Sequence, residues 1–273
     1  MAIGDIETKV KRFYSGLEER DEVLMRPDPE ETSLCASLHQ MHSKKLEGSD
    51  MDHSKIQNLF IASLEPLGEN MQDYFNGVQN RIVLKRSTCL DNGQGSAMRK
   101  DGTTTVFTTD KPTKTIDLIA YAHEMGHIPA YDDKTRKDYF EYGNVLPMFF
   151  EYLACKQLKA SDYYRYFLDW KSHEIKTTAQ SYLSRKKNNS ELGRGTIKVY
   201  NASEMRYNMR IIKSLDYTLQ LIARFNANRA QVNQELDDFI IGATNFRQME
   251  GPLKINTNGC KTLLRETKRY RNR

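Results

Sequence analysis

Asp117-Leu118-Ile119-Ala120-Tyr121-Ala122-His123-Glu124-Met125-Gly126-His127 is the stretch from which the rest of the chain can be read. Ile116, Ile119, Ala120, His123 and His127 recur at helical spacing, so one face of a helix carries both histidines about one turn apart. Both imidazoles can then reach one metal ion. Glu124 is rotated off that face, too far round to coordinate but close enough to take a proton from a water on the metal. Thr113 or Thr115 is the expected cap, Asp117 sits in the electropositive first turn, and Pro129 ends the helix. Gly126 is a poor helix former, about 1 kcal/mol worse than alanine. Its presence predicts that another backbone crosses closely at that point.

Upstream, Thr103-Thr104-Thr105-Val106-Phe107-Thr108-Thr109 is β-branched or aromatic throughout and reads as a strand. Asp110-Lys111-Pro112 breaks it. A strand followed by a metal-bearing helix is the layout a zinc peptidase requires, because an open strand edge near Val106 and Phe107 can hold a peptide in extended form. Downstream, Glu151 lies in the apolar run Phe149-Phe150-Glu151-Tyr152-Leu153-Ala154. Three protein ligands would leave one coordination position open, the catalytic arrangement of zinc.

The segment Asp117 to His127 resembles the Asp-x5-His-Glu-x-Gly-His signature of the gluzincins, and more narrowly of the thimet oligopeptidase and oligoendopeptidase F family. That resemblance implies a mostly α fold with a small β-sheet, built on a zincin-like core with flanking helices. It implies one zinc per chain on His123, His127 and Glu151, with Glu124 as general base. A weaker similarity runs from Tyr207-Asn208-Met209-Arg210 to Leu215-Asp216-Tyr217-Thr218-Leu219. It matches a family helix whose tyrosines and histidine stabilise the tetrahedral intermediate, which implies catalytic roles for Tyr217 and Tyr207. Ala154 and Leu158 depart from the family, which places a small hydroxyl residue and a second glutamate there. The chain is also shorter than typical members. A shorter chain encloses its cleft less, and this opens the alternative of an export-delivered effector or toxin protease acting on one protein. A non-catalytic, zinc-stabilised helical binding protein is the competing class.

With 273 residues, 38% hydrophobic and 28% charged, the chain has enough material for a substantial core. It contains no apolar run of membrane-spanning length. The N-terminal residues lack a secretory pattern, and Cys35, Cys89, Cys155 and Cys260 show no paired spacing. Together these features predict a cytoplasmic protein with free thiols, or one secreted without a classical signal. The net charge of +5 is modest. The basic end (Arg265, Lys268, Arg269, Arg271, Arg273) has only Tyr270 for stacking, so nucleic acid is not the expected partner; a peptide or protein substrate is.

Three consecutive regions are expected. Residues 1–95 form a helical region, with helices over 5–25, from Thr32 or Ser33 through Met41, from a Ser54 cap, and from Met71 to Val83. Residues 96–180 form the catalytic core. Residues 181–273 form a C-terminal helical region that completes the cleft and contains a loop or linker at 186–195. His39, His42, His53 and His173 lack the spacing or the carboxylate partner of a metal site. Tyr163, Tyr164 and Tyr166 read as core packing.

Overall fold

The computed structural model describes residues 29–43, 46–52, 54–87, 95–98, 104–109, 114–129, 143–159, 161–191, 196–240 and 258–269. The expected helix over 5–25, His53, and the basic residues beyond 269 lie outside them. The chain divides into two compact units that interleave along the sequence. One comprises residues 1–43, 172–212 and 264–273, and the other 44–171 and 213–263. This division does not follow three consecutive regions, because two long helices, Tyr163–Glu191 and Thr196–Ala227, contribute to both units.

In order, the described elements are α1 (Pro29–His39), α2 (Lys55–Ser63), α3 (Glu69–Gln79), β1 (Ile82–Ser87), β2 (Gly95–Met98), β3 (Thr104–Thr109), α4 (Asp117–Gly126), α5 (Val145–Leu158), α6 (Tyr163–Glu191), α7 (Thr196–Ala227), α8 (Arg229–Ile240) and α9 (Asn258–Arg269). The fold is mostly helical with one small sheet, as expected. Pro29 opens α1 rather than breaking a helix, since a proline's missing N–H costs nothing at a first helical position. Ser54 is the N-cap of α2, but its side chain makes no capping bond. Residues 186–191, read as the start of a linker, continue α6.

The sheet corrects the sequence reading in two places. Ile82 and Val83 do not continue α3. They begin β1, which pairs in parallel with β3. Part of the expected loop at 88–102 is β2, antiparallel to β3. The strand order is β1-β3-β2, so the strand carrying Val106 and Phe107 is central. Val106 pairs with Leu84 on one side and Ser96 on the other, and Phe107 with Lys85 and Gly95.

The larger unit is organised around α4 and α5. Eleven consecutive residues of α5, Val145 to Cys155, are buried, so this helix is enclosed on every side. Phe60 of α2, Phe75 of α3, Tyr121 of α4 and Phe150 of α5 form one aromatic cluster with centroids 5.2–6.0 Å apart, edge-to-face except for the tilted Phe60–Phe150 pair. Each such pair adds roughly 0.5–1.5 kcal/mol beyond area burial. Phe149 packs edge-on against Phe225 of α7, and Tyr152 against Phe167 of α6. Thr218 of α7 donates to the Val145 carbonyl at 3.2 Å. Asp216 receives the Cys260 N–H at 3.3 Å, so a side chain of α7 caps the start of α9.

Candidate active site

The helix α4 begins without the expected threonine cap. Asp117 instead accepts the Lys114 N–H at 2.8 Å, and Thr115 donates its N–H to the Ser49 carbonyl at 2.8 Å. The helix ends at Gly126, with His127 as C-cap. A Cβ placed on Gly126 would lie 2.4 Å from the Pro147 Cα and 2.6 Å from its nitrogen. The predicted backbone crossing is therefore present, and the crossing element is the helix that carries Glu151. Pro147 tolerates this role because it falls in the first turn of α5, where no intrahelical N–H bond is lost.

That crossing sets the site. His123 and His127 lie with ring centroids 4.9 Å apart, on the α4 face turned toward α5. Glu151 is brought to His123, with His123 Nδ1 and Glu151 Oε1 2.5 Å apart. Glu124 is buried on the same helix. Phe149, Phe150 and Tyr152 anchor α5 on its other faces, which leaves the Glu151 carboxylate directed at α4 and α6.

Two residues that the sequence reading did not single out complete the site. Trp170 donates its indole N–H to Glu151 Oε2 at 2.8 Å. The Lys171 ammonium, with a side chain 0% exposed, lies 2.5 Å from the same oxygen. Tyr163, Phe167, Trp170 and Lys171 fall at i, i+4, i+7 and i+8 of α6, which is one helical face. Tyr163 meets Tyr152, as does Phe167, so this face is held against α5. A signal was present. Lys171 interrupts the apolar stripe Phe167, Ile175, Ala179 and Tyr182, all buried, and a lysine on a buried stripe requires an anion.

The electrostatics follow from burial opposed by charge. Burial alone would raise the Glu151 carboxyl, but the Lys171 cation and then His123 hold it below the ordinary carboxylate range. Burial alone would lower His123, but the hydrogen bond and charge of Glu151 outweigh it and raise the imidazole. With its side chain 20% exposed, solvent tempers that shift. Burial, then the neighbouring His123, push His127 down to about 3, against a hydrogen bond to the Gly143 backbone. His127 is therefore neutral, the form that ligates metals. Cys155, one turn beyond Glu151, is held as a neutral thiol by burial and by the Glu151 charge, so it offers no thiolate.

Two imidazoles and a carboxylate suit zinc in chemistry, and the crossing of α4 and α5 brings Glu151 to His123. As they stand, His123 and Glu151 bond each other. Among the described residues no group of three or more His, Cys, Asp or Glu is arranged to hold a metal ion. Occupancy requires the His123–Glu151 bond to give way to bonds to the ion. Tyr217 is buried on α7 within the same unit as Glu151, whereas Tyr207 belongs to the other unit and is 54% exposed. Val106 is 0% exposed, and a central strand has no free edge. The expectation that Val106 and Phe107 hold a peptide by strand pairing is therefore not met. Among the described residues the two edges of the sheet are β1 and β2.

With this geometry in view, the comparisons with other proteins fall into place. No protein-family model matches the chain, and no curated protein matches it. Two crystal structures do. A proposed oligoendopeptidase F from Bacillus anthracis strain Ames matches with a TM-score of 0.53 and 14% identity, covering 92% of this chain and 54% of that one. A proposed peptidase from Chlamydophila abortus matches with a TM-score of 0.51 and 14% identity, covering 94% and 54%. The fold is oligoendopeptidase-like. The chain spans about half the length of these structures. No described helix is long and apolar enough to cross a membrane.

Proposed function

We propose that the chain is a zinc-dependent endopeptidase whose metal is held by His123, His127 and Glu151. The observation that carries this reading is the crossing of α4 and α5 at Gly126, which sets Glu151 against the His-Glu-x-x-His face within an oligoendopeptidase-like fold. Bound zinc would supply a water activated near neutral pH and a Lewis acid for the substrate carbonyl. Glu124 accepts the proton that the attacking water gives up and returns it to the leaving amine. Tyr217 donates a hydrogen bond to the carbonyl oxygen as negative charge develops. The substrate is an extended peptide or a protein segment. Trp170 and Lys171 occupy the surroundings of Glu151, where the resembling family uses a second carboxylate.

The test is metal analysis of wild type beside Glu124→Gln, paired with hydrolysis of a quenched-peptide library. One zinc in each protein is expected, with cleavage by wild type alone. Full activity in Glu124→Gln would sink the mechanism. The closed His123–Glu151–Lys171 network favours a second reading, a helical binding protein without catalysis. One zinc in both proteins and no cleavage of an unfolded peptide mixture selects that reading or an effector protease with a single protein substrate. Capture of proteins by Glu124→Gln then separates these two.

A further inference from the structure

We propose that Trp170 and Lys171 are positioning residues that bind one oxygen of Glu151 and leave the other as the only ligating atom; this rests on the zinc reading above. The two oxygens of Glu151 are used unequally. Oε2 receives the indole N–H at 2.8 Å and the ammonium at 2.5 Å, while Oε1 alone faces His123. The two donors are adjacent in sequence, so their side chains leave α6 about 100° apart. They converge on one atom because the carboxylate lies between them. Two charge-assisted or strong donors fill the lone pairs of Oε2. A bidentate carboxylate would need that oxygen, so the arrangement works against it.

The burial of Lys171 strengthens the case. A fully buried ion pair is weak evidence for stability, since an apolar side chain of similar volume is often as good. Both partners here are buried, at 0% and 2% exposure, and the pair meets the motif's third ligand. The consequence is chemical. A one-oxygen Glu151 keeps the protein ligands at three and the fourth position free. The adjacent cation offsets the carboxylate's charge, which makes the bound ion a stronger electrophile. In this chain a cation and an indole, both donors, orient the carboxylate ligand.

The experiment substitutes cobalt for zinc in the purified full chain and records its visible absorption, which is intense for four-coordinate and weak for five-coordinate cobalt. Wild type is expected to show the four-coordinate spectrum. Lys171→Met is expected to move toward the five-coordinate spectrum, with Trp170→Phe moving the same way to a smaller degree. Circular dichroism checks that each variant folds. If Lys171→Met does not, Trp170→Phe carries the test, since it deletes one donor with little change of shape. Cobalt spectra unchanged from wild type in the folded variants overturn the positioning role and leave the zinc reading intact. A wild-type protein that takes up neither cobalt nor zinc overturns both.

Discussion

Removing the Glu151 carboxylate breaks a buried ion pair. In Glu151→Ala the Lys171 ammonium, fully buried and 2.5 Å from that carboxylate, loses that ion pair. Breaking a buried pair from one side costs about 3–5 kcal/mol. Urea unfolding of metal-free protein is expected to show a loss of that size, and a loss below about 1 kcal/mol would mean that water reaches Lys171. At this scale His123, Glu124 and His127 were legible because ligation and proton transfer demand a set spacing on one helix. Glu151 was legible only through the resemblance. Trp170 and Lys171 were not read from the sequence, because their role depends on how α6 is rotated against α5. The lysine on a buried stripe was the available clue.

Gly126 belongs to the scale of the element. Its missing Cβ allows the backbones of α4 and α5 to cross, and the nearest obstacle to a methyl group is the Pro147 backbone at 2.4 Å, which cannot rotate away. Gly126→Ala gains intrinsic helix propensity yet is expected to lose about 3 kcal/mol or more by overpacking, together with zinc affinity, because α5 must retreat and carry Glu151 with it. Calorimetry and zinc titration check both; a stabilised protein would show that the crossing is looser. In α1, burial and the nearby Glu31 push the Cys35 thiol from 9.0 up to about 12, against Lys186. The folded chain therefore holds this proton more tightly than the unfolded chain. Its contribution to stability is complete below pH 9.0 and is lost as pH rises toward about 12. Cys35→Ala is expected to flatten the fall in urea midpoint above pH 9.0; an unchanged slope would assign that fall to other groups. Helix positions were largely legible from apolar spacing and proline. The strand β1 was not, since Ile82-Val83-Leu84 continues the apolar character of α3 and its partner β3 is distant in sequence.

For the whole molecule, the proposed zinc would link metal binding to folding. Zinc held by the folded chain and not by the unfolded one stabilises it by about 2.7 kcal/mol at a hundredfold excess over Kd. For a chain of this size that is a rise of several degrees in Tm. Addition of zinc to metal-free wild type is expected to give that rise and a chelator to reverse it. His123→Ala is expected to abolish the response, and a Tm indifferent to zinc in wild type would overturn the zinc reading.

The local arrangement was determined by the sequence alone: a helix with two histidines on one face and a glutamate beside them, a glycine marking a crossing, and a mostly helical chain around them. These follow from spacing along one element, which backbone geometry converts directly into a face. The tertiary structure alone decided which strand is central, that two long helices contribute to both compact units, and that a buried lysine and an indole occupy one oxygen of Glu151. Those features arise where elements distant in the chain meet, and their register and rotation are set by packing against one another.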